Sequence, residues 1–196
     1  MPHYGYVYDP NANDPGWKNV TGECQLLFDD LMPKAENLFG PRTSTLPVLV
    51  TEFSTGPHIH FINNSIAYIR LGPGVRAGAN LTPAEARQLK HQLALEIVHL
   101  LSVPVGAPMT ALEEGASGYF AEYVGGYTPG ESGAPQKYID AHQAVKELLD
   151  DAIGGRYAIK ELRQPLCSIN RISAEAIRGK YPDCSQDLID RLTIAC

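Results

Sequence analysis

Two helix starts, Thr82-Pro83-Ala84-Glu85 and Thr110-Ala111-Leu112-Glu113, restrict the folding of this chain more than any other feature. In each, the threonine hydroxyl can accept from the amide three residues on, and the glutamate there can reach back to the threonine amide. Pro83 strengthens the first start, because a first turn needs no amide hydrogen at that position. The spacing predicts one helix from Thr82 to about Leu101 and a second from Thr110 through Tyr123, stopped by Gly125-Gly126. Ionisable residues on these segments are therefore carried by two rigid rods joined by a short connection.

Elsewhere the pattern is less sharply punctuated. Residues 1–20, with Tyr4, Tyr6, Tyr8, Pro10, Pro15, Gly16 and Trp17, lack a period and read as an arm or loop. From Gly22 to Phe39 the apolar residues Leu26, Leu27, Leu31, Met32, Ala35 and Leu38 recur at three- and four-residue steps, which predicts an amphipathic helix ended by Gly40-Pro41. Pro47–Phe53, His58–Ile62 and Ser65–Leu71 are short runs rich in Val, Ile, Thr, Phe and Tyr, parted by turn signals, and read as a small sheet. After the Pro/Gly loop 128–134, helices are expected over 135–152, 156–163, 173–180 and 185–194. The expectation is a single α+β domain over residues 1–196: a helix and a small, mostly antiparallel sheet within 22–125, then a helical part over 130–196.

Composition bounds the function classes. The 196 residues are 44% hydrophobic and 19% charged, enough apolar material for a real core. A net charge of -6 leaves no concentration of basic residues to neutralise phosphates, so neither a nucleic-acid nor a membrane partner is expected. A small molecule or peptide is the expected partner. No apolar run approaches the roughly 20 residues of a membrane span, and Met1-Pro2-His3-Tyr4 does not open a signal peptide. The reading is a soluble protein, cytoplasmic, or secreted with a leader outside this chain. Sequons at Asn19, Asn63 and Asn80 suit secretion but are short patterns. Of four cysteines, Cys167, Cys184 and Cys196 lie near the end and could staple the tail with a disulfide, or, like Cys24, be free thiols.

The two capped helices carry Ala94-Leu95-Glu96-Ile97-Val98-His99 and Glu113-Glu114-Gly115-Ala116-Ser117-Gly118-Tyr119-Phe120. The first resembles an H-E-x-x-H metallopeptidase helix whose leading histidine has become Leu95. The second resembles the E-G-x-A-x-Y segment of gluzincin zinc peptidases, especially the plant and bacterial basic-secretory-protein-like group. The resemblance covers roughly residues 15–125 and implies a zincin-like scaffold. It also implies that Glu96 matches the general base, His99 the second histidine ligand and Glu114 the glutamate ligand.

Leucine offers no lone pair, so a site of that kind keeps only His99 and Glu114 as metal ligands, where catalytic zinc has three protein ligands and water. No cofactor is expected, with zinc as the minor alternative. His91 lies two turns before His99, about 12 Å along the axis, too far to share an ion, and is expected on a solvated face. His58 and His60 alternate on a strand, and either could replace the lost ligand. Tyr119, four residues before Tyr123, is a candidate oxyanion donor, although such spacing also serves packing. Glu113 is expected to close the cap with Thr110. Three functions follow: a remodelled, metal-independent acid-base enzyme using Glu96, His99 and Glu114; a catalytically dead peptidase homologue that binds a peptide or ligand; or a zinc peptidase with a substitute ligand.

Overall fold

A computed structural model describes residues 23–43, 48–52, 58–62, 66–72, 81–101, 108–163 and 168–196. The helices are α1 (Glu23–Phe39), α2 (Pro83–Leu101), α3 (Ala111–Gly125), α4 (Gln136–Leu148), α5 (Ala158–Arg163), α6 (Ala174–Lys180) and α7 (Gln186–Thr193). Strands β1 (Val48–Glu52), β2 (His58–Ile62) and β3 (Ile66–Leu71) form one sheet in the order β1-β3-β2.

The expected α+β fold with a mostly antiparallel sheet is not found. Seven helices dominate the described residues, and the small sheet is mixed: β2 runs antiparallel to β3, whereas β1 runs parallel to it, Val50 opposite Ile69. The physical reason is strand order. Turn signals show that successive strands reverse direction, but β1 pairs with β3 and skips β2; two reversals leave that pair parallel. Among the described residues no helix is long and apolar enough to cross a membrane.

The first cap forms as the sequence demands. Glu85 accepts from the Thr82 amide at 2.8 Å, and the Thr82 hydroxyl accepts from the Glu85 amide at 3.3 Å. From Leu93 onward almost every residue of α2 is buried, because α1, α3 and the sheet all pack against it. Phe39 at the end of α1 meets Phe120 of α3 edge-to-face at 6.2 Å. Arg163, 3% exposed, donates to the carbonyls of Phe39, Gly40 and Leu101, placing a cation at the C-terminal ends of both α1 and α2.

Helix α3 lies against α4 at Gly115, whose missing side chain lets the α4 backbone at Ala141 come close, while Gly118 one turn on faces the side chains of Pro129 and His142. Beyond that crossing, Glu122 accepts from His142 at 2.6 Å and pairs with Lys146 at 3.2 Å. The chain end returns to the same place: the Cys196 amide donates to Met109 and the Ala111 amide to Ile194, each at 2.9 Å, so residues 194–196 lie beside the start of α3. Cys184 and Cys196 are free thiols, which leaves no tail disulfide between them. Cys167, the Cys24 side chain, the arm 1–20 and the sequon residues Asn19, Asn63 and Asn80 lie outside the described residues.

Candidate functional site

Helices α2 and α3 are clamped where their ionisable residues face each other, with the Ser117 hydroxyl donating to the Leu95 carbonyl at 2.8 Å. That bond sets the helix register beside a cleft of about 330 Å³. His91, Gln92, Leu95, Glu96 and His99 line it from α2, and Glu114, Ser117 and Gly118 from α3. The far wall is the 127–135 loop and the first turn of α4, with Pro129, Ser132, Pro135 and Tyr138. The loop is folded on itself by Glu131, which accepts from the Thr128 amide and hydroxyl at 2.8 and 2.9 Å.

Four ionisable groups meet at the inner end. The His99 Nδ1 donates to Glu113 Oε1 at 3.3 Å, and its Nε2 lies 3.9 Å from Glu114 Oε2. Glu113 is wholly buried, His99 is 7% exposed and Glu96 is 6% exposed. Among the described residues the Glu96 carboxyl has no hydrogen-bond partner, although it stands on the cleft wall.

Burial decides the protonation of this cluster. It pushes Glu96 up to about 7; the nearby His99 pulls the other way, and Glu114 adds to the rise. For His99, burial alone would lower the value, but the Glu113 hydrogen bond and the charges of Glu114, Glu113 and Glu96 outweigh it and raise it to about 9. Glu114 is also raised, chiefly by burial, against the opposing pull of His99. At neutral pH the imidazole is therefore a cation while Glu96 is poised between its acid and base forms.

Stability should depend on pH accordingly. A group whose value rises on folding stabilises the fold below its unfolded value and loses that contribution as pH rises through its folded value. For His99 the window runs from 6.5 to about 9. Below it, burial lowers His91 and His142, so their protonation in the unfolded chain erodes stability as pH falls. Glu96, raised from 4.5 to about 7, and Glu114, also raised, lose their contributions in the same direction, so denaturant unfolding should place the maximum below pH 7 and show a loss of about 2 kcal/mol or more between pH 7 and pH 9. A flat profile, or one rising toward pH 9, would refute the assignment of charge to His99.

The placement of the candidate residues is uneven. Glu96, His99 and Glu114 come together on the cleft. Tyr119 does not line it; five positions beyond Glu114, about 140° around the helix, it packs against the hydrophobic core. His58 and His60 lie on β2, but their side chains fall outside the described residues. His91, expected in solvent, is 4% exposed, its ring edge-on to Tyr127 at 5.6 Å. Glu113 corrects a second expectation: its amide binds the Thr110 hydroxyl at 3.4 Å, yet its carboxylate turns to His99 instead of closing the box. Ser117, Ser132 and Tyr138 of the cleft carried no sequence signal.

A zinc site of the gluzincin kind needs three protein donors, and this residue set does not fit one. His99 and Glu114 supply two, while the position one turn before His99 presents the Leu95 side chain to the cleft. Among the described residues no three His, Cys, Asp or Glu side chains gather as a metal-binding group. Comparison with protein-family models, curated proteins and solved structures finds no match for the chain.

Proposed function

We propose that the cleft is a metal-independent acid-base centre that acts on a small molecule or peptide, on a scaffold whose motif helices are related to those of gluzincin peptidases. The observation that carries this reading is Glu96: a carboxyl 6% exposed, without a hydrogen-bond partner among the described residues, on the wall of a cleft and titrating near 7. A base is most useful when its pKa lies near the working pH.

The other residues then have distinct roles. Glu96 takes a proton from the substrate or from water. His99, charged at neutral pH, presents Nε2–H toward the cleft as the proton donor or as a stabiliser of developing negative charge. Glu113 is a positioning residue that holds the imidazole through Nδ1. Glu114 faces His99 Nε2 and keeps the proton there when no substrate is bound. Two carboxyls and an imidazolium with unequal environments supply both halves of a proton transfer.

The test uses small ester, amide and enolisable ketone probes, each with and without an amino group, assayed in the presence of a chelator. Turnover should persist in chelator, and Glu96→Gln should lower kcat by about 10²- to 10⁴-fold with little change in KM. Turnover abolished by chelator, or a fully active Glu96→Gln variant, would contradict the reading.

A further inference from the structure

We propose that the cleft selects a primary or secondary ammonium group carried on a compact apolar body, with Glu114 as the anion that holds the cation. This rests on the cleft being the acid-base centre described above and names the class of ligand it takes. Acid groups and apolar side chains line the space. Glu96 and Glu114 approach it from two helices, and among the described residues neither Lys nor Arg lines it. The imidazolium of His99 is already hydrogen-bonded on its Nδ1 side to the buried Glu113. An anionic ligand would therefore meet two further acid groups and a cation whose charge is already matched.

The second observation is the state of Glu96. A carboxyl so deeply buried normally has a hydrogen-bond partner, because burial without one is costly. Glu113 has His99 on Oε1, although its Oε2 is buried without a partner among the described residues, and Glu114 has His99 at ion-pair distance. Glu96 has none among the described residues and borders the cleft, so a donor that enters there meets an unfilled acceptor. An ammonium carries two or three N–H donors and can serve Glu114 and Glu96 together.

The remaining walls describe the rest of the ligand. Leu95, Met109, Pro129, Pro135 and Tyr138 offer apolar surface, and a volume of about 330 Å³ sits at the small end of ligand pockets. Lys137 approaches from outside the lining, its ammonium 4.8 Å from the Tyr138 ring, and its charge lowers the Glu114 value. A cation is thus accommodated close by without filling the cleft.

Calorimetric titration of the full chain near pH 7 with benzylamine, benzyl alcohol and benzoate tests the proposal. Benzylamine should bind roughly tenfold or more tightly than benzyl alcohol, and benzoate more weakly than either. Glu114→Gln should bring benzylamine to the level of benzyl alcohol and leave the alcohol unchanged. Benzoate binding as well as benzylamine, an unchanged Glu114→Gln variant, or no benzylamine binding at millimolar concentration would each overturn it. Repeating the titration in buffers of different ionisation enthalpy separates the two readings. A bound cation should drive a fraction of a proton off Glu96, and Glu96→Gln should abolish that release. Amine preference without proton release would sustain the ammonium proposal and count against Glu96 as a neutral-pH base. Near-neutral titration of Glu96 in a protein indifferent to amines would do the reverse.

Discussion

Alanine at position 115 is expected to destabilise the protein by about 3 kcal/mol or more, at the upper end of the usual cost of overpacking. A Cβ there would lie 2.2 Å from the Ala141 carbonyl oxygen, 2.7 Å from its carbon and 2.6 Å from Val145 Cγ2. The first two atoms are backbone, so no side-chain rotation relieves the contact and α3 and α4 must separate. Against this, alanine gains about 1 kcal/mol over glycine in a helix interior, which does not offset the collision. Domains of this size are commonly stable by only about 5–15 kcal/mol. The displacement also reaches the cleft, since Glu114 precedes Gly115 and Tyr138 stands on α4. Urea unfolding of Gly115→Ala measures the loss. A variant as stable as the parent would mean that α3 and α4 are not packed this closely.

The Leu95→His variant should gain zinc, with affinity higher than the parent's by roughly two orders of magnitude or more, since a third donor completes a catalytic-type set. Leu95 already borders the cleft one helical turn before His99, and the Ser117 bond to its carbonyl fixes that turn against α3. His99 offers Nε2 toward Glu114 while its Nδ1 is held by Glu113, the carboxylate-histidine arrangement that orients metal-binding imidazoles. Zinc stoichiometry after dialysis measures the gain, and adding Glu114→Gln should remove it. A folded Leu95→His protein that stays metal-free would mean that the resemblance to the metallopeptidase helix misplaces the motif.

What could be read from the sequence, and what could not, follows from the range of each interaction. Helices α2 and α3 were legible because their caps and apolar spacing are local, and so was the three-residue step from Glu96 to His99. The partner of Glu113 was not. A threonine with a glutamate three residues on looks the same whether the carboxylate returns to the threonine amide or, as here, leaves it for a histidine fourteen positions earlier. His91 was misjudged because a polar residue on a helix reads as solvent-facing until a third element, here the segment with Tyr127, covers it. Strand order is likewise non-local: nothing in three short runs says that β1 will skip β2. The far wall of the cleft is built by Pro129, Pro135 and Tyr138, ordinary loop and helix residues that become lining because Gly115 admits the α4 backbone and Gly118 leaves room for Pro129.

Beside Leu95 the cleft gathers Glu96, whose equilibrium lies near neutral pH, the His99 imidazolium, and the carboxyls of Glu113 and Glu114 around it. NMR titration of the side-chain carboxyl carbon of Glu96 and the ring of His99, assigned through Glu96→Gln and His99→Gln, tests this most directly. The account predicts a Glu96 midpoint near 7 and a His99 midpoint near 9. Midpoints at the ordinary values of 4.5 and 6.5 would contradict it, because neither group would then be poised for proton transfer at neutral pH.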